Sequence, residues 1–238
     1  IRRVTKQGWK ETLEGGHYGP YESQFLDRIF KVAYPELVIS REKAFVSGLI
    51  ADANLGSYFP ISSTNSLSIS EAAMKVWSAA SAAIRSIKIT IIVEDLPGSQ
   101  LAEASIDSAD ADGLPSAGTI ILDRDAAGVG WFVDDSPLEH TEFNTLLGAN
   151  AFLASRDSLA AGKYDLLTVL LHETAHLLGF NSHTGAFAAH VGTVKGSQLF
   201  VGPDFTVPLA AGGDHIDATA YPYDLMNALL APSVRKLP

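Results

Sequence analysis

Apolar and polar positions along this chain fall into three textures. Residues 1 to about 65 show no sustained period: Arg2, Arg3, Trp9, Tyr18, Tyr21 and Phe25 are mixed with Gly15-Gly16 and Pro20, and GLIADANLGSYFPISSTNS reads as a loop-rich connection. That texture predicts an N-terminal extension or propeptide-like segment over 1–65. From Ser68 the spacing becomes helical, with Ile69, Ala73, Val76, Trp77, Ala80, Ala83, Ile84 and Ile87 on one face and a capping-box pattern at Ser68 and Glu71. IKITIIVEDL then suits a buried strand, SIDSADADGLPSAG a polar loop, and GTIILD (118–123) and VGWFVD (129–134) two further strands. YDLLTVLLHETAHLLGF predicts a second helix, apolar nearly all round and therefore buried, with Asp165 as its N-cap and Gly179 as a left-handed C-cap. After it, a glycine-rich region with little periodicity runs to about 214. Helix, strands and second helix in this order predict an α+β domain over 66–238, with no internal repeat.

Composition narrows the partners. At 238 residues with 47% hydrophobic and 18% charged positions the chain can bury a sizeable core, and no apolar run approaches the length of a membrane span. A formal net charge of -10 without long Lys/Arg runs argues against a nucleic-acid partner. There is no cysteine, so neither a disulfide nor a thiolate switch on a metal is available, and redox chemistry gives no compartment. The start at Ile1 without a signal-like segment fits a processed protein as well as a cytosolic one.

The buried helix carries the chemistry. Within His172-Glu173-Thr174-Ala175-His176, the two histidines stand at i and i+4 on one face and can aim ring nitrogens at one ion, while Glu173 leans over the same cleft. Burying three ionisable groups without partners is costly, and a metal ion removes the conflict. The alternative is a core helix with two hydrogen-bonded histidines. Catalytic zinc takes three protein ligands and leaves one position open, so a third ligand is sought downstream among His183, His190 and His215.

HETAHLLG followed by DLM resembles the metzincin zinc endopeptidases, over about residues 66–238. In the usual pattern the third histidine comes three residues after the glycine, where this chain has Ser182. GGDHIDATAYPYDLMNALLAP looks like the leishmanolysin-type members, in which an insertion separates the glycine from a third histidine placed shortly before the methionine turn. The resemblance therefore implies His215 as third ligand, with His183 as runner-up, and Met226 as an apolar floor beneath the histidines. It also implies a twisted mixed sheet and active-site helix in an upper part (66–179) above a smaller, loop-rich lower part (180–238), and a secreted or extracellular enzyme. A tyrosine ligand two residues after the methionine is not carried over, because that position is Ala228; Tyr221 and Tyr223 lie just upstream and are read as packed rings or oxyanion partners. Members usually continue past the methionine turn into a helix, whereas APSVRKLP follows here.

The function so implied is hydrolysis of protein or peptide substrates by a zinc-activated water, with Glu173 as general base. Substrate would lie extended along an edge strand, for which Gly118, Thr119, Ile120, Ile121 and Leu122 of GTIILD are the first candidates and VGWFVD the second. Asp107, Asp110 and Asp112, and Asp123, Asp125, Asp134 and Asp135, could in addition bind calcium, although their spacing is not that of an EF-hand. His17 in GGHYGP reads as a loop residue. Two other readings stand beside the endopeptidase: an inactive binding module of the same shape, and a zinc hydrolase of a non-peptide amide.

Overall fold

A computed structural model of the chain describes residues 24–33, 50–51, 63–80, 87–111 and 113–238. Its elements in chain order are α1 (Gln24–Ala33), β1 (Ile50–Ala51), α2 (Ser63–Ala80), β2 (Lys88–Glu94), β3 (Ala102–Ala109), β4 (Pro115–Asp123), β5 (Trp131–Phe132), β6 (Thr145–Leu146), β7 (Ala151–Leu153), β8 (Tyr164–Asp165), α3 (Leu166–Leu178), α4 (Gly185–Ala188), β9 (Val191–Val194), β10 (Ser197–Val201), β11 (Thr206–Leu209) and β12 (Val234–Lys236). The fold is mixed α and β, with small sheets and few helices. No helix among the described residues is long and apolar enough to cross a membrane.

The main sheet has the order β1-β2-β4-β3, with β1, β2 and β4 parallel and β3 antiparallel to β4. Alternate residues of β2 (Ile89, Ile91 and Val93) are buried, as period-two patterning demands of a strand with one face on a core. Three expectations need correction. GTIILD forms most of β4, which lies between β2 and β3, so Gly118, Thr119, Ile120, Ile121 and Leu122 are interior strand residues and not a free edge. The stretch read as an Asp-rich loop is instead largely a hairpin, β3 returning as β4, and β3 is one of the two end strands of the sheet among the described residues. VGWFVD contributes only Trp131 and Phe132, paired in parallel with β8. Gly118 has a packing role: a Cβ there would collide with Leu177 of α3 and approach Ser105 O to 2.8 Å, so glycine lets the sheet close on the helix.

Helix α2 opens at Ser63, so Ser68 lies inside it rather than at its cap; Ala83 and Ile84 fall outside the described residues, and Ile87 is buried just before β2. Trp77 of α2 is fully buried and its Nε1 donates to Leu171 O of α3 at 3.0 Å, joining the two helices behind the sheet. The described parts of the 1–65 segment join the same body. β1 extends the main sheet beside β2, and α1 buries Ile29 and Phe30, with Phe30 edge-on to Trp77 at 5.8 Å between centroids. Arg28 pairs with Asp204 at 2.7 Å and covers the Phe205 ring, tying α1 to the β10–β11 connection. Phe30→Ala is accordingly expected to cost about 3–5 kcal/mol of stability in a urea or thermal melt, the range for a buried phenylalanine. A variant within 1 kcal/mol of wild type would instead mark α1 as a loosely held segment.

The region from 180 to 214, expected as loop, holds α4 and a three-stranded antiparallel sheet ordered β11-β10-β9. Lys195 and Gly196 both have positive φ (51° and 84°), the conformation of a two-residue hairpin turn between β9 and β10. A last small sheet, β12-β7-β6, brings residues 234–236 back against the body of the molecule.

Candidate metal centre

Helix α3 is capped at both ends as its sequence implies. Asp165 accepts from Thr168 N at 3.2 Å and from Thr168 Oγ1 at 2.7 Å, and Gly179 closes the helix at φ 115°, where a side chain would be strained. The turn at Gly179 sends Phe180 back along the helix, so that Phe180 O meets His176 Nδ1 at 2.8 Å. On the other side, Leu225 O meets His172 Nδ1 at 2.8 Å. His215 arrives from the far end of the 180–214 region.

The three Nε2 atoms converge. His172 Nε2 lies 3.1 Å from His176 Nε2 and 3.2 Å from His215 Nε2, and the three rings form the one cluster of potential ligand atoms with metal-binding spacing among the described residues. The two carbonyls can only accept, so the Nδ1 atoms of His172 and His176 carry the protons and their Nε2 atoms face each other as bare lone pairs. Lone pairs this close repel unless a cation lies between them. Tetrahedral bonds of about 2.0–2.1 Å set nitrogens roughly 3.3 Å apart, close to the spacing observed. The cluster could therefore bind a metal ion.

Burial keeps the rings neutral, as ligation requires. His172 is held well below the usual histidine range by burial and then by the neighbouring His176, against the pull of Leu225 O. His176 is lowered by burial, and His215 is pushed down to about 4 by burial and then by His176. Glu173, only 8% exposed, is pushed up to about 8, by burial first and by the charge of Glu103 on β3 second. A carboxyl with that value can hold or release a proton near neutral pH.

The other candidates lie apart from this cluster. His183 is exposed, its backbone N bonded to Asn181 Oδ1, and His190 sits against Phe200 with Nδ1 3.2 Å from Val201 O. Met226 is fully buried, one residue beyond the carbonyl that holds His172. Ala228 is exposed; Tyr221 is half-buried, and Tyr223 packs over Gly148, where an added Cβ would come within 2.9 Å of it. The loop residue His17 and, of the carboxylates considered for calcium, Asp112 lie outside the described residues. The other carboxylates do not converge as a ligand set. Asp107 accepts from Thr119 Oγ1, Asp110 from Leu114 N, Asp125 from Gly128 N, and Asp123 from Leu96, Asp125 and Ala127 N, while Asp134 pairs with Arg235.

Several supporting residues escape a reading by motif. Asn227 Nδ2 donates to Tyr221 O and Pro222 O, and its Oδ1 accepts from Lys236 Nζ at 3.0 Å, which also donates to Leu229 O at 2.7 Å. This lattice fixes the turn carrying Leu225 O and hence the His172 ring. The one signal for it in the sequence is the polar Asn227 between Met226 and an apolar run. No protein-family model matches the chain, and neither a curated protein nor a solved structure does.

Proposed function

We propose that the chain is a zinc-dependent endopeptidase of metzincin type that acts on protein or peptide substrates outside the cell. The observation that carries this reading is the meeting of three neutral Nε2 atoms beside a buried carboxyl of raised pKa. Zinc suits three imidazoles, and when bound it would supply a Lewis acid that brings water towards a pKa of about 7 and polarises a carbonyl. His172, His176 and His215 would hold it, with Leu225 O and Phe180 O fixing the first two rings. Glu173 takes the proton of the attacking water and returns it to the departing amine. β3, an end strand of the main sheet among the described residues and packed against α3, would present its outer edge to an extended peptide, and this role passes to it from GTIILD. The sequence resemblance adds support through Gly179, His215 and Met226, which it matches to that family's turn glycine, third ligand and methionine.

The test is to measure zinc in purified protein and cleavage of an unfolded casein-like chain with and without a chelator. About one zinc per chain, cleavage lost on chelation, and loss of zinc in His215→Ala but not in His183→Ala are the expected results. Zinc retained by His215→Ala, or uptake of none by wild type, overturns the reading. Zinc uptake without cleavage selects the inactive module or the non-peptide amide hydrolase.

A further inference from the structure

The third histidine reaches the site by a long excursion whose two ends are joined directly. Where the chain leaves, Ser182 N donates to Asp214 Oδ1 at 2.6 Å, and the Ser182 hydroxyl bonds the same carboxylate. Where it returns, Asp214 is the residue before His215. Burial works against ionising Asp214, but the bonds from the Ser182 hydroxyl and backbone N hold its carboxyl below the usual range. Gly213 allows the close approach: at φ 82° a side chain is strained, and a Cβ would stand 3.2 Å from Ser182 Cβ.

His215 depends on this junction more than the helix histidines depend on theirs. Each of those has a backbone carbonyl on Nδ1; among the described residues His215 has none. Its position is set through the backbone instead. His215 O accepts from Ala210 N at 2.8 Å, Ile216 N donates to Met226 O at 2.9 Å, and Ile216 bridges to Leu209.

We propose that Asp214 is the positioning residue of the third ligand: by clipping Ser182 at the exit it closes the 182–214 excursion and delivers His215 to the two helix histidines. Ser182 thereby serves the centre from the position where the commoner motif has its third histidine. The inference rests on the reading of the three histidines as metal ligands. It is tested by titrating zinc into metal-free wild type, Asp214→Ala and Asp214→Asn against a chromophoric chelator, with a thermal melt of each metal-free protein. Asp214→Ala is expected to lose about 10–100-fold in zinc affinity, as removal of a group supporting a ligand does, with the metal-free melt little changed. Asp214→Asn keeps an oxygen for Ser182 N and should recover most of the affinity. Cobalt absorption, which reports the ligand set, should be altered in the alanine variant and restored in the asparagine one. Asp214→Ala binding zinc within about twofold of wild type overturns the inference alone, as does an asparagine variant no better than alanine. Wild type that takes up no zinc overturns the metal reading itself.

Discussion

Glu173→Gln is expected to lower turnover of a peptide substrate by at least about 10²–10⁴-fold, the range for a lost general base, while zinc content stays near that of wild type. The two side chains have the same shape, so the substitution leaves the packing of α3 intact and removes only the capacity to take a proton. Glu173 is buried on α3, and its carboxyl is pushed up to about 8 by burial and then by the charge of Glu103 on β3. A dication beside it favours the carboxylate and draws the value back towards neutrality, where a base is most effective. The check is kcat on a fluorogenic peptide with zinc measured on the same preparation. Full turnover by the glutamine variant would reject Glu173 as base.

Arg235→Ala is expected to cost about 3–5 kcal/mol of folding stability, the loss that follows when one member of a buried ion cluster is removed. The Arg235 side chain is fully buried, and its Nε and Nη2 donate to both oxygens of Asp165 at 2.9 and 2.8 Å. Nη2 also meets Asp134 Oδ2 at 2.7 Å, Nη1 donates to Glu139 O at 3.0 Å, and the guanidinium lies 4.3 Å from the centre of the Phe143 ring. Burial opposes its charge, but Asp165 and then Asp134 raise its pKa further, so it stays protonated. Alanine leaves two carboxylates enclosed without a counter-charge, one of them the cap of α3. Arg235→Lys keeps the charge but not the fork that matches Asp165, and should fall between the two. Denaturant melts of the metal-free proteins give the order; equal stability of all three would show that the cluster contributes nothing to the fold.

The legible parts of the molecule are those whose signal is local. HETAH at i and i+4, Asp165 before the helix and Gly179 after it each act within one or two turns, and the structure has them in the expected conformation. β2 was equally readable, because β-branched residues fill its buried positions. β3 was not: AEASIDSA has little intrinsic strand preference, and pairing with β4 imposes its conformation. The edge was misassigned for the same reason, since strand order depends on partners distant in sequence. The β9–β10 hairpin was missed as well, because Lys195-Gly196 is a weaker turn signal than Asn-Gly and the flanking residues show little alternation. The supports of the centre from Asp214, Asn227, Lys236 and Arg235 belong to contacts across long sequence separations, which no motif encodes.

Strand β12 gives those distant contacts a temporal meaning. Residues 234–236 supply the counter-ion for the cap of α3 and the amine that steadies the loop under His172, and they pair with β7. A nascent chain that has already emerged through HETAH but has not yet delivered this strand has the helix without its anchors. On the proposed function, the supports of the centre are thereby assembled only after residues 234–236 have been made.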